Sequence, residues 1–301
     1  AMAEIINARI VADGEGEPVT ESSLAETYDH LQRCDPATDI VVAEANGEVV
    51  GYARTGWNDV VATGHREFWV ANGALESVSG LERTLIDWAI QRAIENAASH
   101  THDPKRLRAF AAVGGARHAL FLDAGFETTG FSATMVRTAL DDVPDRALPA
   151  GLVTRPVVHA DLRAIWEADV DAFRDDDDFV EQTEEDWERF GDEAARGVAL
   201  WKVAWDGEDV VGQVRTRVAE GEAARIGRRR AWTEEISTRR DWRRRGVASA
   251  LITASLRQLA ELGFDEAALS ADIDAASGSF RLYESLGYRE VIRHAMMVRP
   301  L

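Results

Sequence analysis

The chain is predicted to be an α+β protein, each half a mixed sheet flanked by helices, built as two tandem copies of one architecture. Three observations predict it. The chain has 301 residues, and at roughly 150 residues per domain that suggests two domains. Ile40–Gly51 and Leu200–Gly212, offset by about 160 residues, each read as a strand, an Asn-Gly or Asp-Gly turn, and a second strand ending in glycine. Further markers recur in the same order: Leu81–Trp88 parallels Val247–Ala254, and Phe121-Leu-Asp-Ala-Gly125-Phe126 parallels Tyr283-Glu-Ser-Leu-Gly287-Tyr288.

The second copy reads clearly element by element. Leu152–Val157 is a strand and Asp161–Phe173 a helix. Thr183-Glu-Glu-Asp186 is a variant of the helix-start box and opens a second helix. Ala199–Val218 is the hairpin, and Ala231–Thr238 the next strand. Ile252, Leu256, Leu259 and Ala260 recur at helical spacing, so they share one face of a helix ending at Gly263. A strand through Ala267–Ala271, a short helix over Ser277–Leu286 and a final strand complete it. Between the copies, Asp141–Gly151 holds Pro144, Pro149 and several acidic residues, as an exposed connector does.

Composition narrows the function. Hydrophobic residues make up 46% and charged residues 29%, which is globular and excludes disorder. The formal net charge of −19 argues against nucleic acid and against anionic membrane surfaces. No apolar run approaches the ~18 residues of a membrane span. The lone Cys34 excludes an internal disulfide and any all-cysteine metal site, and no metal is expected. A reduced, cytoplasmic protein, monomeric or homodimeric, is the expectation.

The chemistry is expected at Trp232–Leu251, where a strand runs into an Arg- and Gly-bearing turn that opens an amphipathic helix. The first N–H groups of a helix lack internal partners and carry the positive end of its dipole. Gly246 and Ala248 would let a phosphate approach that backbone closely. Nine arginines between Arg225 and Arg245 suggest a local positive pole for a small polyphosphate. The pattern lacks the Gly-Lys-Ser/Thr of the Walker loop and two of the three glycines of the dinucleotide fingerprint, so ATP and NAD fit poorly. The alternative is a solvated arginine run before an ordinary helix entry.

Arg243-Arg-Arg-Gly246-Val-Ala248 resembles the Gln/Arg-x-x-Gly-x-Gly/Ala signature of the GNAT acyltransferase superfamily. Leu282-Tyr283-Glu284-Ser-Leu286-Gly287-Tyr288 is similar to its later Leu-Tyr-Glu-x-Leu-Gly-Phe/Tyr segment. The resemblance covers about residues 151–301 directly and 4–140 through the repeat, and the layout is similar to tandem members such as the mycothiol synthase type. It implies two GNAT domains, 1–142 and 152–301, joined by a linker at 143–151.

The resemblance further implies that acetyl-CoA lies in a gap between the strand at Glu234–Thr238 and the strand ending near Ala271. Backbone groups of Ile236, Ser237 and Thr238 would pair with the pantetheine arm. Arg243, Arg244, Arg245, Gly246, Val247, Ala248 and Ser249 would hold the pyrophosphate. A small-molecule amine would attack the thioester directly, in keeping with the absence of a Ser–His–Asp or Cys–His motif. Glu234 is the expected base, sharing a strand face with Ile236 and Thr238, while regular alternation sends Glu235 to the other face as the fallback. A solvated or salt-bridged glutamate is the alternative for either. Tyr283 is the expected acid by family position; its alternative is a core aromatic. Many relatives carry a cofactor-contacting asparagine where Asp274-Ala275-Ala276-Ser277 has alanine.

The repeat sets Ser77-Val-Ser-Gly80-Leu-Glu82 opposite the arginine motif and Phe121 opposite Tyr283. Glu82 would repel phosphate and Phe121 has no proton to give, so the first domain is expected to be non-catalytic. Asp175–Asp178, with Glu181, Glu184, Glu185 and Asp186, is a solvated face or an acidic rim for a cationic amine. His100 and His102 beside Asp103 read as surface residues, and Trp201, Trp205, Trp232 and Trp242 as fillers of the core or a domain interface. Three functions follow: an acetyl-CoA-dependent N-acetyltransferase working in the second domain, a mycothiol-synthase-like enzyme acetylating a cysteinyl sugar conjugate, or a non-catalytic acyl-CoA-binding scaffold.

Overall fold

The structure is a computed structural model that describes residues 1–13, 19–29, 31, 33–61, 65–75, 78–101, 105–176, 179–219, 221–275 and 277–301. In chain order the first copy gives α1 (Met2–Asp13), α2 (Glu21–Asp29), β1 (Ile40–Ala45), β2 (Glu48–Val60), β3 (His65–Ala74), α3 (Leu81–Ala98), β4 (Lys105–Ala112), α4 (Ala116–Asp123) and β5 (Glu127–Arg137). The second gives β6 (Val153–Thr154), α5 (Leu162–Phe173), α6 (Glu184–Arg196), β7 (Lys202–Asp206), β8 (Asp209–Arg217), α7 (Glu222–Ile226), β9 (Arg230–Thr238), α8 (Val247–Glu261), β10 (Glu266–Asp272), α9 (Ser279–Ser285) and β11 (Arg289–Pro300). These form two compact units, Ala1–Ser132 with Ile292–Leu301, and Ala133–Val291. That division differs from a cut in the connector: residues 133–142 fall in the second unit and 292–301 in the first.

In the first unit the strand order is β1-β2-β3-β4-β11, parallel only between β3 and β4. The closing strand comes from the far end of the chain, with His294 opposite Ala112 and Pro300 opposite Arg106. Its alternate residues Ala295 and Met297 enter a core with Phe68, Ile86, Leu107, Phe121 and Phe126.

The second unit runs β5-β10-β9-β8-β7-β6, with β9 and β10 parallel and the β9–β8, β8–β7 and β7–β6 pairs antiparallel. Here β5 supplies the closing strand, and Ala133 and Met135 enter the core. One sheet face packs on α8, whose Leu251, Ile252, Leu256 and Leu259 meet Val211, Val214, Leu269 and Tyr288. A second cluster joins Leu162 and Ile165 of α5 with Phe190 of α6, Trp201, Val203 and Trp205. Thr183 and Asp186 close the foreseen box at the start of α6, with Thr183 N–H donating to Asp186 Oδ2 at 2.8 Å.

The hairpins of the two copies match in detail. Each has a two-residue loop, and each slips register at the same place, so that Val50 and Val211 are the extra residues ahead of Gly51 and Gly212. The glycines admit a helix. A β-carbon at Gly212 would lie 2.9 Å from Val247 of α8, and one at Gly51 would lie 3.0 Å from Leu81 and Leu85 of α3.

Candidate active site

The strand β9 is not a regular ribbon. Its pairing with β8 sets Gly212 opposite Thr238 and Gln213 opposite Ser237, then shifts, so that Arg215 faces Glu234 and Arg217 faces Trp232. Glu235 has φ +45°, in the left-handed region, and is the bulged residue. The bulge breaks the alternation expected from sequence. Glu234 and Glu235 therefore open into the same cavity rather than onto opposite faces. Arg217 holds Glu234 at 2.8 Å, and Arg215 lies 3.3 Å from Glu235.

That cavity, of about 520 Å3, lies within the second unit between α5, α6 and the β8–β9 ribbon. Its walls include Trp166, Phe173, Phe179 and Phe190. Asp169 and Glu193 join the two glutamates inside it, and Sequence reasoning singled out neither. The signal available was helical spacing: Asp169 follows Ile165 by four residues on the inward face of α5, a position otherwise apolar. Burial pushes the Asp169 carboxyl up to about 6, opposed by Arg215 and reinforced by Glu235. Burial likewise raises Glu193, against the pull of Arg215. Asp186 also lines the cavity, whereas Asp175 pairs with Arg240 and Arg243.

Beside the bulge the sheet splays. The parallel ladder joins Arg230–Trp232 to Glu266–Ala268 and extends no further, although β9 continues to Thr238 and β10 to Asp272. The chain then turns through Arg240–Trp242 into α8, with Arg244 at φ +63° and Gly246 at φ +90°. A β-carbon at Gly246 would meet nothing within 4 Å. Ala250 N–H donates to Gly246 O at 3.0 Å, and the start of α8 has no side-chain cap, so the preceding N–H groups of its first turn lack intrahelical partners.

The nine arginines do not form one pole. Arg225, Arg228 and Arg230 are taken up by Glu222 and Glu266, and Arg229 by the carbonyls of Leu262 and Gly263. Arg243 donates to Thr238 O at 3.2 Å and to Ala172 O, clamping the loop to the end of α5. Among the described residues Arg244 and Arg245 form no ion pair; Arg245 lies over the Trp242 ring.

Tyr283 is buried in the α8-side core beside Tyr288 and does not line the cavity. Burial raises its phenol to about 12. Tyr288 instead bonds Thr233 Oγ1 at 2.7 Å. In the first unit, Glu82 stands in the first turn of α3, 2.9 Å from Arg117 Nε, and Arg117 also donates to Asn72 Oδ1 at 2.8 Å. Phe121 is fully buried. Among the described residues no group of three or more His, Cys, Asp and Glu could hold a metal ion, and no helix is long and apolar enough to cross a membrane. His100 packs its ring 5.1 Å from Trp57. Ser77, His102, Asp103, Asp177, Asp178 and Ala276 lie outside the described residues.

Residues 161–288 match the family model for the acetyltransferase (GNAT) family. Comparison with curated proteins finds no match. The fold is similar to that of a GCN5-related N-acetyltransferase from Sphaerobacter thermophilus, with TM-score 0.73 and 21% identity over 99% of this chain and 91% of that one. It is also similar to a tandem GNAT protein from the clavulanic acid biosynthesis pathway, with TM-score 0.68 and 14% identity over 99% and 93%. A probable N-acyltransferase from Enterococcus faecalis V583 gives TM-score 0.61 and 14% identity over 99% and 69%. These likenesses show the expected fold, a mixed sheet with flanking helices. The match to the acetyltransferase (GNAT) family thus covers residues 161–288, within the second unit.

Proposed function

We propose that the protein is an N-acetyltransferase that moves the acetyl group of acetyl-CoA directly to an amine, and that it does so only in the second unit. The observation that carries this reading is the divergence of β9 from β10 beyond Trp232 and Ala268, next to a bulge that turns Glu234 into a cavity. Strand edges that part leave N–H and C=O groups unpaired. An amide-bearing arm such as pantetheine can satisfy them, here at Ile236–Thr238. The uncapped N–H groups of α8 and the unpaired Arg244 and Arg245 suit a pyrophosphate at the same end of the strand.

In this reading Glu234, oriented by Arg217, takes the ammonium proton. The amine nitrogen then bonds to the thioester carbonyl carbon as the C–S bond breaks. The departing sulfur receives a proton from Tyr283, whose phenol is protonated at neutral pH, and the new amide nitrogen sheds its remaining extra proton, which restores the phenol through solvent. The burial that raises the phenol also raises a thiol held beside it, which keeps donor and acceptor matched.

The first unit serves structure. At its corresponding helix start Glu82 brings a carboxylate, tied to Arg117 and to Asn72, where a phosphate would have to lie. An anion there meets repulsion rather than N–H donors. Replacing Tyr283 by Phe tests the whole reading. An enzyme loses turnover and keeps its affinity for acetyl-CoA, whereas a binding scaffold loses neither.

A further inference from the structure

The charged groups of the acceptor cavity already answer one another. Arg189 lies 2.6 Å from Asp186 and Arg217 lies 2.8 Å from Glu234. Arg215 lies 3.1 Å from Asp169, 2.9 Å from Glu193 and 3.3 Å from Glu235. Each carboxylate of the cavity therefore has a guanidinium, and a ligand offering only further charge would have to compete with such a pair.

The unanswered part of the cavity is apolar. A helix at a protein surface turns one apolar stripe to the core. In α5 that stripe is Leu162, Ile165 and Ala168, which pack with Trp201, Val203 and Trp205. Beside it runs a second one: Trp166, Val170 and Phe173 recur at i, i+4 and i+7, all line the cavity, and none is fully buried. Phe179 and Val180 extend that wall beyond the end of α5. Among the described residues Val170, Phe173, Phe179 and Val180 join none of the hydrophobic clusters, so what they face is the open cavity.

One end of the wall is backed by rings. Trp166 meets Trp187 edge-on at 5.6 Å, Trp187 stacks on Phe190 at 5.5 Å, and Phe190 meets Trp201 at 5.5 Å. A preformed aromatic face loses little freedom when a further ring settles on it. Glu234 and Glu235 of β9 open into the same space, so a single ammonium and an apolar body satisfy the cavity together.

We infer that the amine taken by this cavity is an arylalkylamine: a primary amine on a short chain ending in an aromatic ring, with the ring against the Trp166–Val170–Phe173 stripe and the amine at Glu234. The inference rests on the acetyl-acceptor reading of this cavity and names the substrate class.

The test is calorimetric titration of the full chain, without acyl donor, using 2-phenylethylamine against ethylamine, which lacks the ring, and 2-phenylethanol, which lacks the charge. The expected result is 2-phenylethylamine bound at least about tenfold tighter than either. Phe173→Ala and Val170→Thr, which shorten the stripe and make it polar, should each cut its advantage over ethylamine about threefold or more. Should Phe173→Ala fail to fold, Val170→Thr decides. Equal affinities for 2-phenylethylamine and ethylamine, including no binding of either, overturn the inference. So does 2-phenylethanol binding as tightly as the amine, or an advantage that survives both substitutions. Selective binding of 2-phenylethylamine without acetyl transfer to it from acetyl-CoA would overturn the proposed enzyme activity alone. Transfer to ethylamine and 2-phenylethylamine with equal kcat/KM would overturn this inference alone.

Discussion

Arg117 Nε lies 2.9 Å from Glu82 Oε1 in the first unit, joining the start of α4 to the start of α3. Glu82 occupies the position in α3 that Ala248 has in α8, so the two copies place a carboxylate and a methyl at the same point of the helix start. Arg117→Ala removes the partner of Glu82 and of Asn72 Oδ1, and should destabilise the protein by about 1–3 kcal/mol in urea unfolding. Binding of acetyl-CoA should be untouched. A change in its stoichiometry would contradict a purely structural role.

Gly212 and Val247 fix how closely α8 approaches the ribbon. Gly212→Ala places a methyl 2.9 Å from Val247 Cγ1 and 3.0 Å from the carbonyl of Ser237, and the carbonyl cannot yield. A loss of about 1–3 kcal/mol is expected, with weaker acetyl-CoA binding because α8 moves. Gly51→Ala meets the Leu81 and Leu85 side-chain ends at 3.0 Å, besides Gly73 O at 3.2 Å. Its loss in thermal melting should be smaller, with no effect on acetyl-CoA binding.

Glu234→Gln keeps the size of the side chain and removes the base. Turnover should fall by about 10²–10⁴-fold with acetyl-CoA affinity retained, read by release of free thiol. Glu235→Gln should cost far less, because its side chain is 48% exposed and meets Arg215 rather than Arg217. Equal losses in the two variants would assign the proton to the pair instead.

The raised Asp169 carboxyl makes a signed pH prediction. Its folded value of about 6 lies above the unfolded value near 3.8, so between these pH values the native state binds more protons. Stability from this group is therefore present below about pH 4 and lost as pH rises to 6. The charged groups around it are Arg215 of β8, Glu193 of α6 and Glu235 of β9. Asp169→Asn should remove that slope, a swing of order 1–3 kcal/mol in wild type minus variant across pH 4–6. A flat difference would show that the carboxyl titrates normally.

Much of the fold was legible. The face of α8 followed from Ile252, Leu256 and Leu259 at helical spacing, the start of α6 from Thr183 and Asp186, and the paired hairpins from their turns and closing glycines. The exchange of closing strands was not legible, for a physical reason. β5 buries Ala133 and Met135, and β11 buries Ala295 and Met297, so the two strands present the same residue types at the same spacing. The bulge was hidden because Glu235 adopts φ +45° without a glycine or asparagine to mark it. The arginine run was over-read: charge type is visible in sequence, but whether Glu222, Glu266 and Asp175 already claim those charges is not.

The most direct measurement is calorimetric titration of the intact chain with acetyl-CoA, with Gly246→Glu and Gly246→Ala alongside. Both substitutions bear the strain of φ +90° and neither β-carbon meets a neighbour within 4 Å, so only the carboxylate separates them. One equivalent bound per chain, weakened little by alanine and abolished by glutamate, is the predicted result. Two equivalents, or binding that survives the glutamate, would contradict a single donor site at the start of α8.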